Sequence, residues 1–198
     1  MAHPSKVKGN TYNIIYADPP WSYNKRNNKN TKFGGGAMGH YPTLSFDDIY
    51  KLPINELSDD NCVMLLWVTF PKLIQCIKTF EHWGFKYKTI AFNWVKLNKK
   101  NRKPFFGVGY YTKSNTEVCL LGVKGKMKPI SNYVSSIVIE PREEHSKKPL
   151  IIKDKIVELF GDIPRIELFA REKSKGWDVW GDEVCSDIKI GEEDGSSK

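Results

Sequence analysis

Four consecutive residues, Asp18-Pro19-Pro20-Trp21, carry the most specific chemistry in the chain. They follow a short apolar run, Tyr12 to Ala17, and precede a polar, glycine-rich stretch. Ile14 and Ile15 favour a strand, and two prolines without N–H groups cannot continue its ladder. Proline fixes φ and restrains the residue before it, so Asp18 leaves the strand tip in a stiff, extended geometry. The expected product is one edge holding a carboxylate, two prolyl carbonyls that face no competing local N–H, and an indole. That set suits an exocyclic amino group on a flat base. Its two N–H donors would meet a carboxylate and a carbonyl, which draw the nitrogen lone pair out of the ring and stabilise the charge that develops as it attacks. Trp21 would offer a stacking face. The competing assignment is an Asp-Pro turn followed by a core Trp.

The elements that must position this edge are legible as runs. Tyr12–Ala17 reads as the first strand. Ser45 reads as the N-cap of a short helix to Lys51, with Asp47 and Asp48 in its first turn. Cys62–Val68 is a continuous apolar run, as in a strand buried on both faces, and Glu117–Val123 reads as another buried strand. Pro71 opens an amphipathic helix ending at Gly84. Further strands are expected at Tyr87–Val95, Tyr133–Ile139 and Arg165–Ala170. A helix runs from Pro149 to Phe160 and ends at Gly161. Strands alternating with helices predict an α/β domain, a mostly parallel sheet with helices on both faces and ligands at the carboxyl ends of its strands.

The chain of 198 residues is expected to form one domain over residues 1–190, followed by a disordered acidic tail over 191–198. Its formal charge of +8 and six Trp favour a polyanion partner, with nucleic acid first. The four cysteines are widely spaced without a CxxC pair, so neither a metal site nor a disulfide framework is indicated. Cys62, Cys76 and Cys119 read as small core residues. No apolar run approaches membrane-spanning length, and a cytoplasmic setting is expected.

Two long polar connections flank the expected edge. Residues 22–43 carry Arg26 and the triplet Gly34-Gly35-Gly36, and form either a lid over substrate or a disordered loop. Residues 96–113 interleave Lys96, Lys99, Lys100, Arg102 and Lys103 with Phe105, Phe106, Tyr110 and Tyr111, a pattern that suits backbone tracking and base stacking. Arg26, Lys99 and Arg102 are candidate base contacts. A methyl donor would need its own pocket, yet no Gly-x-Gly follows an early strand. The last strand is the better candidate. Glu167 would accept ribose hydroxyls, with Arg171 and Lys173 beyond it to hold an anionic or hydroxyl-bearing part of the ligand. The alternative for Glu167 is a salt bridge to Arg165 or Arg171.

Taken together, Asp18-Pro-Pro-Trp21, Tyr41-Pro-Thr-Leu-Ser45, Leu65-Leu-Trp-Val68, Glu117-Val-Cys-Leu-Leu-Gly122, His145-Ser-Lys-Lys-Pro149, Ile166-Glu-Leu-Phe-Ala-Arg171 and Gly176-Trp-Asp-Val-Trp-Gly181 occur in a defined order. The set resembles the adenine-N6 methyltransferases related to the messenger-RNA adenosine methyltransferase catalytic subunit. The resemblance implies a Rossmann-like sheet in circularly permuted order, the catalytic motif first and the cofactor strand last, with S-adenosylmethionine as cofactor. It implies catalytic roles for Asp18, Pro19, Pro20 and Trp21 and places Tyr41 near the extruded adenine. Cofactor contacts are implied for Glu167, Phe169, Arg171, Lys173, Asp182 and Glu183. The expected activity is methylation of N6 of adenine in DNA. The alternatives are N6-adenosine methylation of RNA and a catalytically silent nucleic-acid-binding subunit of the same fold.

Overall fold

The computed structural model describes residues 11–22, 43–109, 111–143 and 147–190. The expected lid over 22–43 falls almost entirely outside these residues, as do Arg26, Tyr41 and the tail from 191. One sheet organises the rest. Its strands are β1 (Tyr12–Ala17), β2 (Ser58–Val68), β3 (Lys86–Leu97), β4 (Thr116–Lys124), β5 (Ile137–Pro141), β6 (Arg165–Leu168) and β7 (Asp178–Trp180), in spatial order β5-β3-β4-β2-β1-β6-β7. β1 lies between β2 and β6, parallel to both, so its backbone is paired on both edges, and its apolar run is buried.

β4 alone among these strands runs against its neighbours, antiparallel to β2 and β3. A strict strand–helix alternation does not anticipate this. β3 returns into β4 without a helix, and only an antiparallel partner can be reached without a crossover.

The even-numbered side of β1 (Ile14, Tyr16) faces α4 (Ile151–Phe160), packing with Trp67, Phe92, Trp94, Cys119, Ile152 and Ile156. The odd-numbered side (Ile15, Ala17) faces α1 (Phe46–Lys51), α2 (Ile54–Leu57) and α3 (Leu73–His82), through Ile49, Ile54, Cys76 and Phe80. Helices thus cover both faces, as expected of a Rossmann-like sheet. Gly122 on β4 leaves room for α3, because a Cβ there would lie 2.3 Å from Cδ1 of Phe80. Burial pushes the thiols of Cys62 and Cys76 up to about 12, in keeping with core packing.

Several boundaries differ from the sequence reading. β5 begins at Ile137 rather than Tyr133, because Ser135 Oγ accepts from the Ile137 N–H and turns the chain there. Pro71 sits in a short 3₁₀ turn, Phe70–Lys72, and α3 starts only at Leu73. α4 starts at Ile151, two residues after Pro149. The last long strand stops at Leu168, because Phe169 takes a left-handed φ of 61° that the ladder cannot follow. α2 and β7 are short elements that the apolar runs do not announce. Among the described residues no helix is long and apolar enough to cross a membrane.

Candidate active site

Asp18 follows directly on β1. Alternation along the strand continues the α4 face from Ile14 and Tyr16 to Asp18. Behind it the backbone folds tightly. The Trp21 N–H donates to the Pro19 carbonyl at 2.8 Å, and the Leu44 N–H donates to the Pro20 carbonyl at 3.1 Å. The expectation of two carbonyls without local competition is therefore corrected at Pro19, where the Trp21 N–H competes, while at Pro20 the N–H comes from Leu44, distant in sequence. A carbonyl has two lone pairs, so one acceptor site remains on each.

Trp21 is also corrected. Its ring is 6% exposed, its Nε1 donates to the Trp67 carbonyl at 3.0 Å, and it stacks on Phe46 with centroids 5.3 Å apart. Its place is that of the core Trp of the competing assignment rather than an open stacking platform. It pins the turn behind Asp18 to the end of β2 and to α1.

Asp18 belongs to a line of alternating charges. Lys148 Nζ lies 2.6 Å from Asp18 Oδ2 and 3.4 Å from Glu117 Oε2, and Lys96 Nζ lies 2.7 Å from Glu117 Oε1. Both ammonium groups rest over indole rings, Lys148 at 5.4 Å from Trp67 and Lys96 at 5.7 Å from Trp94. Burial pushes the Asp18 carboxyl above the ordinary carboxylate range, and the Lys148 ammonium only partly offsets it. Burial pushes Glu117 the same way, but two lysines outweigh it and hold that carboxyl below its usual value. Lys148 is disfavoured as a charge by burial, yet the two carboxylates keep its pKa above that of a free lysine.

Glu167 sits on β6 directly across from Tyr16. Its partner is Lys153 of α4, which also reaches Ser174 Oγ. Neither Arg165 nor Arg171 takes that place. Arg165 pairs with Asp162, and Arg171 lies 3.7 Å from Glu183. Burial raises the Glu167 carboxyl, the Lys153 ammonium opposes it, and the Asp18 charge adds to the rise. Asp18 and Glu167 therefore feel one another across the β1–β6 junction. Phe169, just past Glu167, has the left-handed backbone that bends the chain away at this point, and its ring packs edge-on against Trp180 at 5.3 Å.

The remaining candidates are less central. Lys173 is engaged by Asp187 and is exposed, and Asp182 and Glu183 are exposed beyond β7. Lys99 and Arg102 line a cleft of about 380 Å³ with Glu140, Glu143, Leu150 and Ile151, at the end of α4 nearest Lys148. Arg26 and Tyr41 lie outside the described residues.

The sequence reading assigned no role to Lys148, Glu117 or Lys153, and it counted Lys96 among the backbone-tracking basic groups of the 96–113 loop, whereas its ammonium pairs with Glu117. The available signal was an ionisable residue opening or closing an otherwise apolar strand, as Glu117 does for β4 and Lys96 does near the end of β3. A lone buried charge there requires a partner.

The fit of a sulfonium cofactor follows from this donor set. Glu167 offers a carboxylate to hydroxyl donors at the carboxyl end of a strand. Asp18 and Glu167 bring two carboxylates to one sheet edge, each oriented by a lysine. Chemically, these residues suit S-adenosylmethionine.

Comparison with known proteins agrees. The MT-A70 family model matches residues 12–183. The chain is 36% identical over 188 residues to the type II methyltransferase M.MunI of Mycoplasma sp, covering 87% of this chain and 78% of the relative. It is 31% identical over 190 residues to the human N(6)-adenine-specific methyltransferase METTL4, covering 88% of this chain but 38% of that protein. It is 26% identical over 177 residues to the N(6)-adenosine-methyltransferase MT-A70-like protein of Arabidopsis thaliana, covering 88% of this chain and 24% of that one. The chain thus belongs to the MT-A70 family and is a methyltransferase whose methyl donor is S-adenosylmethionine.

Proposed function

We propose that this enzyme methylates N6 of adenine in DNA, with Asp18 receiving the amino group and Glu167 holding the cofactor ribose. The observation that carries the reading is the pair of carboxylates at one sheet edge, Asp18 just past β1 and Glu167 on the neighbouring parallel β6, each held by its own lysine. Similarity to a type II methyltransferase over most of both chains, and to a protein named as adenine-specific, supports the base and the polymer. The formal charge of +8 supports a polyanionic substrate.

Bound against Glu167, S-adenosylmethionine supplies an electrophilic methyl carbon. The protein's own contribution is positioning and charge. Asp18 accepts one N–H of the amino group, and the free lone pair of the Pro19 carbonyl accepts the other. Both interactions grow as the nitrogen becomes positive, so they favour the transition state over the ground state. Lys148 holds Asp18 in place and keeps it ionised, while Glu117 holds Lys148 and Lys96 holds Glu117. The alkylated nitrogen is acidic, and Asp18, more basic than an ordinary carboxylate, takes its proton. Arg171 and Phe169 shape the cofactor side of the edge. Trp21 acts indirectly, by pinning the turn.

The test is methyl transfer from labelled S-adenosylmethionine to unmethylated duplex DNA, with single-stranded DNA and RNA alongside and nucleoside analysis of the products. N6-methyladenine in DNA, absent with Asp18→Ala at unchanged far-UV CD, is the expected result. Label confined to RNA overturns the polymer, and turnover by folded Asp18→Ala overturns the assignment of Asp18.

A further inference from the structure

The connection between β3 and β4 is a finger of defined shape. Its root is ladder-like, with a Leu97–Pro104 bridge, the Phe105 N–H donating to the Lys96 carbonyl, and Arg142 stacked 3.9 Å over the Phe105 ring. A second rung follows, where Gly107 and Ser114 exchange N–H···O bonds at 3.0 and 3.2 Å. That rung is closed by missing side chains. A Cβ on Gly107 would lie 2.6 Å from the Ser114 carbonyl oxygen, and one on Gly109 would lie 2.1 Å from that of Thr112. Beyond it, apolar side chains stand in water, with Val108 98% and Tyr111 103% exposed. Phe106, just before the rung, is 65% exposed. A tight hairpin that projects its hydrophobic side chains outward is shaped for a partner.

Charge names the partner. Residues 97–116 contain Lys99, Lys100, Arg102, Lys103 and Lys113 and no Asp or Glu. An apolar tip on a purely cationic stem fits a stacked polyanion. Position names the role. Glu117, one residue into β4, contacts the same Lys148 ammonium that holds Asp18. Only β2 separates β4 from β1, a lateral distance of roughly 10 Å at the strand spacing of a sheet. The finger therefore rises from the same sheet edge as the carboxylate that would receive the base.

Resting on the DNA reading above, we propose that the finger is a wedge. Val108 and Tyr111 enter the duplex beside the target and fill the gap left when the adenine rotates out towards Asp18. Extrusion breaks stacking on both sides of the base, and an inserted apolar side chain restores part of it. Base–aromatic stacking of ordinary strength corresponds to about a 5- to 150-fold effect.

The test compares the wild-type enzyme with a Val108→Ser/Tyr111→Ser double variant, with thermal melting as the check on folding. Mapping methylation on plasmid DNA first gives the target sequence. The substrates are then a fully paired oligonucleotide duplex, the same duplex with an abasic site opposite the target adenine, and the single strand. The paired-to-abasic ratio of kcat/KM is expected to fall about 5- to 150-fold in the variant. With 2-aminopurine at the target, the fluorescence rise on binding the wild-type enzyme should shrink in the variant. An equal loss on all three substrates, or no loss on the paired duplex, overturns the wedge while leaving the DNA reading intact. A wild-type enzyme that labels single-stranded but not duplex DNA overturns the wedge alone, and one that labels no DNA overturns both.

Discussion

Lys148 offers the sharpest test of how Asp18 is set up. Its side chain is 11% exposed, and its ammonium lies 2.6 Å from Asp18 and 3.4 Å from Glu117. Lys148→Met removes the charge and keeps much of the stem that covers Trp67. Glu117 still has Lys96, whereas Asp18 loses its closest ammonium and keeps the unfavourable field of Glu117. A charge-assisted hydrogen bond is worth about 1.5–3 kcal/mol. The Asp18 side chain is 31% exposed, so solvent screening places this one in the lower half, at about 1.5–2 kcal/mol. That corresponds to a loss of about 10- to 30-fold in kcat/KM near neutral pH.

The pH dependence separates this account from simple damage. Asp18 must be ionised to accept N–H, and burial already raises its pKa, so the acid limb of kcat/KM lies at higher pH than an ordinary carboxylate would give. Removing the ammonium raises that pKa further and shifts the limb to still higher pH. Activity should therefore partly recover as the pH is raised, and Lys148→Arg should keep the limb close to its original position. The assay is initial-rate methyl transfer across pH at subsaturating DNA. A uniformly lower profile with its limb unmoved, or an unchanged rate, would refute the reasoning.

Other outcomes follow from neighbouring contacts. Glu167→Gln should weaken S-adenosylmethionine binding about 10- to 150-fold by calorimetry, the loss of one charge-assisted bond. Wild-type affinity should also decline on acidification sooner than an ordinary carboxylate predicts, because burial raises Glu167. Glu117 is held below its unfolded pKa, so its stabilisation is present above the unfolded value and lost as pH falls through the folded one. Urea melts of Glu117→Gln should accordingly differ from wild type near neutrality and converge in acid. Gly122→Ala should cost about 1–3 kcal/mol by overpacking against Phe80, and adding Phe80→Leu should recover part of it in a double-mutant cycle.

The sheet was legible wherever burial on both faces made a run continuously apolar. β1 matches its expected span from Tyr12 to Ala17, and the buried parts of β2 and β4 lie where Cys62–Val68 and Glu117–Val123 predict. Short elements with polar ends, such as Asp178-Val-Trp180 in β7, leave no comparable trace, because a neighbouring strand rather than their own composition makes them strands. The reversal of β4 is likewise a matter of connection, since its residue types would suit a parallel strand equally well.

Within the site, covalent proximity determined what local sequence could show. Asp18, the two rigid prolines after it and the strand before it follow from residue types in a row. So does the expectation of a carboxylate at a strand tip. Direction and partnership belong to the tertiary structure. Trp21 turns inward because the end of β2 presents the Trp67 carbonyl and α1 presents Phe46. The Pro20 carbonyl is engaged because Leu44 returns beside it. Lys148 is 130 residues from Asp18, and meets it only because the chain crosses the sheet to enter α4 on the face that Asp18 shares. Local residue types dictate the groups that need partners. Which distant group supplies each one is decided by how the sheet is threaded, because side chains can pair only where the packed strands and helices bring them within reach.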